Sequence, residues 1–310
     1  MTRGKLLLTG GSGMVGRNIL EHPMSDDWDI LAPASRELDL VDPGAVSRYV
    51  AAHKPDLVIH AAGQVGGIQA NVAHPIAFLE RNTAIGRNII MAAYQSGVRN
   101  FLNLASTCMY PRAAENPLRE DMILTGELEP TNEGYALAKI VATRLCQYIR
   151  REDETAQYKT LIPCNLFGRH DKFDPTHSHL LPALIHKVHL ATVNGDPTVE
   201  IWGDGTARRE FMYAGDLADA VMKAAADIDA MPDLMNCGLG HDHTINAYIG
   251  MVAEVIGWDG ALTHDLSKPV GMKQKLCDTD RQTKWGWSAP TSLRDGIKAT
   301  YDFYLNEATK

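Results

Sequence analysis

The sequence predicts an α/β fold: a doubly wound parallel sheet with a smaller C-terminal α/β lobe. Three observations carry this reading. Short apolar strands alternate with helical segments through the first half, glycines follow the first strand, and the alternation weakens after Asn165. Strands alternating with helices imply a parallel sheet covered on both faces, since each crossover brings the chain back to the same edge. The expected division is a first unit over residues 1–165 and a second over residues 166–310, with some later segments returning to the first sheet.

Lys5–Leu8 reads as a buried strand, and the glycines after it lead into a helix over Met14–Glu21. Asp29–Ala32 is the second strand, Val46–Ala52 lies in the next helix, and Leu57–His60 is the third strand. Ile76–Gly97 has helical periodicity and stops at a glycine, a common helix end. Phe101–Ala105 and Lys159–Pro163 are the next strands, separated by a helix over Asn132–Arg151 that starts near two good caps, Thr131 and Asn132. After a loop rich in His, Asp and Pro, helices are expected at Leu180–Leu190, Asp216–Ala226 and Leu293–Asn306, with a strand at Thr198–Trp202. The chain is expected to rejoin the sheet at Met212 and near Met235, and the charged run Arg150–Glu154 reads as the exposed end of a helix.

The 310 residues are 45 % hydrophobic and 22 % charged, ordinary for a soluble globular protein. A net charge of −8 with dispersed Lys and Arg argues against nucleic acid as a partner, because phosphate neutralisation supplies most of that affinity. The five cysteines, Cys108, Cys146, Cys164, Cys237 and Cys277, are odd in number and form no Cys-x-x-Cys pair. That suits a reduced, cytoplasmic protein. No signal-peptide pattern opens the chain, and no apolar run approaches the ~18 residues of a membrane helix, so no membrane partner is expected. His241-x-His243 lacks the accompanying ligands of a metal site, and no metal is expected.

Gly10-Gly11-Ser12-Gly13-Met14-Val15-Gly16 follows the first strand and opens a helix. The spacing Gly10-x-x-Gly13-x-x-Gly16 supplies a tight turn, a close phosphate approach and a helix–strand contact, with backbone N–H groups facing a pyrophosphate. The first unit is therefore expected to be a Rossmann-type dinucleotide-binding sheet. After the second strand the first charged residue is Arg36, which suits the 2′-phosphate of NADP(H); Glu37 beside it keeps an NAD preference open. Asp39 and Leu40 are expected near the adenine.

Tyr135 and Lys139 are four residues apart, on one face of a helix. An ammonium there is expected to lower the Tyr135 pKa and make the phenol a better proton donor to a carbonyl receiving hydride. Ser106 ends a strand, where its hydroxyl can bond the same carbonyl oxygen.

These residues resemble the extended short-chain dehydrogenase/reductase superfamily. Within it, Ser106-Thr-Cys108-Met-Tyr110-Pro111 and Leu128-Glu-Pro-Thr-Asn-Glu-Gly-Tyr135-Ala-Leu-Ala-Lys139 resemble the GDP-L-fucose synthase family. So do Ala62–Ile68, Asn165-Leu166-Phe-Gly168, Thr176–Pro182, Trp202-Gly-x-Gly205 and Arg208–Phe211. The resemblance implies a GDP-linked 4-keto-6-deoxy sugar that is epimerised at C3 and C5 and reduced at C4 with NADPH. Each inversion needs one group to remove a proton and another to return one. The resemblance assigns Cys108 as base and His179 as acid; spacing alone leaves His170, His177 and His186 as competitors. It further implies that Ala62, Pro163, Asn165, Leu166 and His179 line the cofactor, that Lys139 holds its nicotinamide ribose, and that Lys187 and Trp202 contact the substrate. Arg209 can clamp the pyrophosphate bidentately. A homodimer built on helices Ile76–Gly97 and Asn132–Arg151, packed as a four-helix bundle, is also implied.

The chain departs from the family at Ser12, where relatives often carry Arg, at Val270, where Asp is usual, and at Lys273-Gln274-Lys275, where Pro-Arg-Lys is usual. The last two bear on the sugar. Alternatives are an epimerase/reductase of a GDP-keto-heptose or of a 3,6-dideoxy, colitose-type sugar, and an enzyme that retains NAD, such as a nucleotide-sugar 4-epimerase or dehydratase. Cys108-Met109 replaces the Asp-Glu pair of dehydratases, and a 4-epimerase needs no Cys–His pair. A silent NADP-binding regulator is disfavoured by the presence of Ser106, Tyr135 and Lys139 together.

Overall fold

The computed structural model describes residues 2–173, 178–267 and 272–308. In chain order the strands are β1 Lys5–Thr9, β2 Asp29–Leu31, β3 Leu57–His60, β4 Asn100–Leu104, β5 Gln157–Pro163, β6 Asn165–Phe167, β7 Thr198–Trp202, β8 Arg208–Arg209, β9 Phe211–Tyr213, β10 Leu234–Cys237, β11 His243–Thr244, β12 Ala261–Asp265 and β13 Gln274–Lys275. The helices are α1 Met14–Leu20, α2 Pro43–His53, α3 Ile68–Ala73, α4 Pro75–Gln95, α5 Glu133–Glu152, α6 Leu180–Asn194, α7 Ala214–Ala226, α8 Ile245–Ile256, α9 Asp280–Lys284 and α10 Leu293–Ala308.

Six strands form one sheet in the order β10-β5-β4-β3-β1-β2, and every pairing is parallel. Side chains alternate between the faces of a strand. Leu7, Val58 and Phe101 accordingly pack on α2, α4 and α5 through Val50, Ile89, Ala142 and Cys146. Leu6, Leu8, Ile59 and Leu102 face the other way, toward α1 and α7 through Ile19, Leu217 and Val221. Two helical layers thus bury the sheet, as the continuous apolar runs of its strands require. A separate core, including Leu184, Val188, Ile201, Phe211, Tyr248 and Ile297, holds α6, α8, α10 and the small strands together.

Met235 lies in β10, at the edge of the large sheet beside β5. Met212 does not rejoin that sheet. It pairs with Leu166 in the two-stranded β6–β9 ladder, because a second strand leaves the main sheet immediately after Pro163. Helix α8, absent from the sequence reading, buries Tyr248, Ile249 and Val252 and leaves Asn246, Gly250 and Glu254 on its opposite face. Its ends are nonetheless marked by Thr244, which accepts a bond from Ala247 N, and by Gly257 in the left-handed region. Arg150 is not a free helix end: it pairs with Asp233 at 3.0 Å and donates to the Ala156 carbonyl.

Candidate active site

Because the sheet is parallel, the carboxyl ends of its strands share one edge, and the chain reverses its order of strands between β1 and β3. Ligands of such sheets bind at that edge. Gly10–Gly16 follow β1, Arg36, Asp39 and Leu40 follow β2, Ala62 follows β3, Ser106 follows β4, and Asn165 and Leu166 follow β5, whose last residue is Pro163.

The glycine turn has no room for side chains. Gly10 has φ +78°, and a Cβ on it would stand 2.7 Å from Ala62 N. A Cβ on Gly16 would stand 2.2 Å from the Gly10 carbonyl oxygen. No side chain caps the start of α1, since its N-cap is Gly13. Its first backbone N–H groups are left for an anion, the arrangement a dinucleotide pyrophosphate fits. On the adenine side, Arg36 and Asp39 are exposed. Asn88 of α4 donates to both the Leu40 and Val41 carbonyls and fixes that loop.

Of the candidate reacting residues, Cys108 and Lys139 are buried, and Tyr135 is partly buried against the cluster that contains Cys108. Lys139 is 8 % exposed and Cys108 4 %. The Lys139 Nζ donates to the Leu104 carbonyl at 2.8 Å and lies 5.7 Å from the centre of the Tyr135 ring. Ser106 caps the short turn Thr107–Met109, its Oγ accepting from Cys108 N at 3.4 Å. Burial lowers the Lys139 pKa to about 8, partly opposed by Cys108. It raises the Cys108 thiol, against the pull of Lys275, the Ser106 bond and Lys139. The sequence expectation of a depressed Tyr135 pKa is not met: burial, with Cys108 adding to it, holds the phenol well above its usual range. The low-dielectric surroundings outweigh the neighbouring ammonium.

His179 is the N-cap residue of α6 and its side chain caps nothing. Burial, then Lys172, lowers its pKa. A Cβ on Gly67 would stand 3.9 Å from the Ser178 carbonyl, so this segment lies against the loop that follows β3. Two of its sequence competitors are committed elsewhere. His170 bonds Glu21 at 2.6 Å beyond the C-terminus of α1, and His186 bonds the Tyr304 hydroxyl at 2.9 Å on α10. His177 lies outside the described residues, as does Val270. His241 and His243 stack edge to face at 5.8 Å, and among the described residues no group of His, Cys, Asp or Glu could hold a metal.

On the lobe, Lys187 Nζ reaches the Glu200 carbonyl at 3.1 Å, two residues from Trp202, which is 43 % exposed. Arg209 lies beside β9, where the Asn165 amide donates to the Glu210 carbonyl at 3.0 Å and joins the lobe to the end of β5. Sequence reasoning missed three residues here. Glu129 faces Arg209 and Lys275, and Lys275 faces Cys108. Glu210, 1 % exposed, accepts bonds from the backbone N–H groups of Leu239, Gly240 and Cys277. A carboxylate inside the run Arg208–Phe211 was the only signal for the last.

The model of the NAD dependent epimerase/dehydratase family matches residues 6–238. The chain belongs to that family. Among its relatives, the GDP-L-colitose synthase of Yersinia pseudotuberculosis is 51 % identical over 98 % of this chain and 98 % of its own. The GDP-L-fucose synthase of Azorhizobium caulinodans is 50 % identical over 97 % and 96 %. A solved GDP-mannoheptose C4 reductase from Campylobacter jejuni with NADP bound is 30 % identical, with a TM-score of 0.89 over 98 % of this chain and 99 % of that one. The likeness to these relatives extends over nearly the whole chain.

Proposed function

We propose that the chain is an NADPH-dependent 3,5-epimerase and 4-reductase of a GDP-4-keto-6-deoxy sugar, acting as a GDP-L-fucose synthase. One observation carries this reading: Cys108 lies in the cluster against which Tyr135 packs, beside the helix that carries Lys139. Simple carbonyl reduction needs no such base. The near-full-length likeness to the fucose and colitose synthases supports it.

In the proposed mechanism the C4 carbonyl acidifies the protons at C3 and C5. The Cys108 thiolate takes one and becomes a thiol, and the electron pair passes to the C4 oxygen as an enolate. Hydroxyls of Ser106 and Tyr135 hold that oxygen. A protonated His179 returns a proton on the opposite face and becomes neutral. Before the second inversion the thiol gives its proton to solvent and the imidazole takes one up, which restores the pair. Tyr135 then protonates the C4 oxygen, with Lys139 beside it to restore the proton. NADPH supplies the hydride for C4. Gly10, Gly11, Ser12, Gly13, Met14, Val15, Gly16, Arg36, Asp39, Leu40, Ala62, Pro163, Asn165, Leu166 and Lys139 would hold it. Arg209 pairs the substrate pyrophosphate, and Lys187 and Trp202 flank the nucleotide sugar.

The 51 % identity of the Yersinia protein favours a second reading, in which the sugar is a 3,6-dideoxy compound and only C5 is inverted. The working form is a cytoplasmic homodimer. Its support is an exposed apolar strip on the packed helices α4 and α5, with Ile76 81 %, Val141 39 % and Tyr148 50 % exposed.

The test mixes protein, NADPH and GDP-4-keto-6-deoxy-mannose in deuterated water and identifies the product by NMR. NADPH oxidation with deuterium at C3 and C5 is expected. Turnover only of the 3-deoxy sugar would move the assignment to the colitose type. Oxidation without deuterium at either carbon would refute the epimerase reading.

A further inference from the structure

The register of two short strands sets a second cation, Lys275, beside Arg209. β13 runs parallel to β8, with Gln274 opposite Arg208 and Lys275 opposite Arg209. Arg208 Nε donates to Asp242 Oδ1 at 2.7 Å, and Gln274 Nε2 donates to Asp242 Oδ2 at 2.7 Å. Both therefore turn toward the one carboxylate, which is 8 % exposed. Alternation along a strand then turns Arg209 and Lys275 together to the other face. The chain is pinned again directly after Lys275. Leu276 N donates to Asn116 Oδ1 at 2.8 Å, and the Leu276 carbonyl accepts from Leu118 N at 2.7 Å. Leu118 belongs to the buried cluster that contains Cys108.

We infer that Lys275 is a positioning residue that stabilises the thiolate of Cys108. The inference rests on the proposed role of Cys108 as base. Burial lowers the Lys275 pKa and Arg209 adds to this, while Cys108, Cys277 and Glu129 favour its ammonium. The groups acting on Cys108 are Lys275, Ser106, Lys139 and Tyr135. Of the groups that oppose the burial of the thiol, Lys275 is the strongest, ahead of the Ser106 bond and Lys139. This fits the anchoring of the Lys139 ammonium on the Leu104 carbonyl. Lys275 gives up no proton in the step. The thiolate gains the C–H proton, the electron pair enters the enolate, and the ammonium keeps its charge while its partner loses one.

The experiment titrates Cys108 itself. Thiolate ultraviolet absorbance is followed against pH, and the C108S trace is subtracted to remove the other four cysteines, Cys146, Cys164, Cys237 and Cys277. NADPH binding checks the fold of each variant. Lys275→Met is expected to raise the Cys108 midpoint by about one pH unit, roughly tenfold less thiolate at neutral pH. Lys275→Arg keeps the charge and is expected to restore most of the shift. If the Met variant fails to bind NADPH, Lys275→Gln replaces it with the same expectation. An unmoved midpoint overturns the inference. So does a raised KM for the sugar nucleotide with no change in the thiol, which would make Lys275 a pyrophosphate contact alone. No sugar enters the titration, so a wild-type enzyme that fails the deuterium test would refute the epimerase reading separately.

Discussion

Burial pushes the Cys108 thiol up and the His179 imidazole down. Thiolate and imidazolium, the pair that inversion uses, are then a minor state whose fraction is flat between the two titrations. Deuterium exchange at C5 is expected to hold a plateau through neutral pH. Its acid limb should fall below the ordinary imidazole range and its alkaline limb above the ordinary thiol range; limbs inside those ranges would contradict the assignment. C108S is expected to lose about 10²–10⁴-fold in that exchange with NADPH binding retained. His60 offers a stability test. It is 2 % exposed, its Nδ1 bonds the Thr9 hydroxyl at 2.8 Å, and burial, then Lys139, lowers its pKa to about 3. Below the unfolded value of roughly 6.5 the unfolded chain takes up a proton that the native one refuses. Its contribution is therefore complete above roughly pH 6.5 and lost as pH falls toward 3, on the order of 5 kcal/mol in all. Urea unfolding at pH 7 and pH 4 should show a smaller difference for His60→Gln than for wild type.

At the level of elements, the glycine turn is the most constrained part of the site. Gly16→Ala places a methyl against the Gly10 carbonyl. It is expected to cost about 1–3 kcal/mol and to weaken NADPH binding at least tenfold or so, by thermal unfolding and fluorescence titration. This turn was legible because glycine spacing between a strand and a helix has one physical purpose. The Ser106–Tyr135–Lys139 set was legible by its place at strand ends and on one helical face. His179 was not, since nothing in the spacing separates it from His170, His177 or His186; bonds to Glu21 and Tyr304 commit His170 and His186 elsewhere, and His177 lies outside the described residues. The run Lys273–Lys275 drew notice only through the family resemblance, because the pairing of Lys275 with Arg209 is a two-residue strand contact across 66 positions. The depressed Tyr135 pKa failed for a similar reason: helical spacing gives the neighbour, and burial is a tertiary property.

For the molecule as a whole, the exposed strip on α4 and α5 makes a prediction about assembly. Ile76→Glu combined with Tyr148→Glu is expected to give a monomer by sedimentation equilibrium, with the glycine turn still able to bind NADPH. A dimer that survives both changes would place the interface elsewhere.

Strand β10 completes the large sheet only after the chain has travelled through α6, β7, β8, β9 and α7. Helix α7, which covers one face of that sheet against α1, comes from the same late stretch. Glu210 then laces the end of β10 to the segment at Cys277 through three backbone N–H groups. The large sheet and the smaller C-terminal core are therefore not beads on a string. A gene cut after Asn165 would yield a protein with a bare sheet edge and an uncovered apolar face, and exchanging later halves between relatives would exchange pieces of the sheet as well.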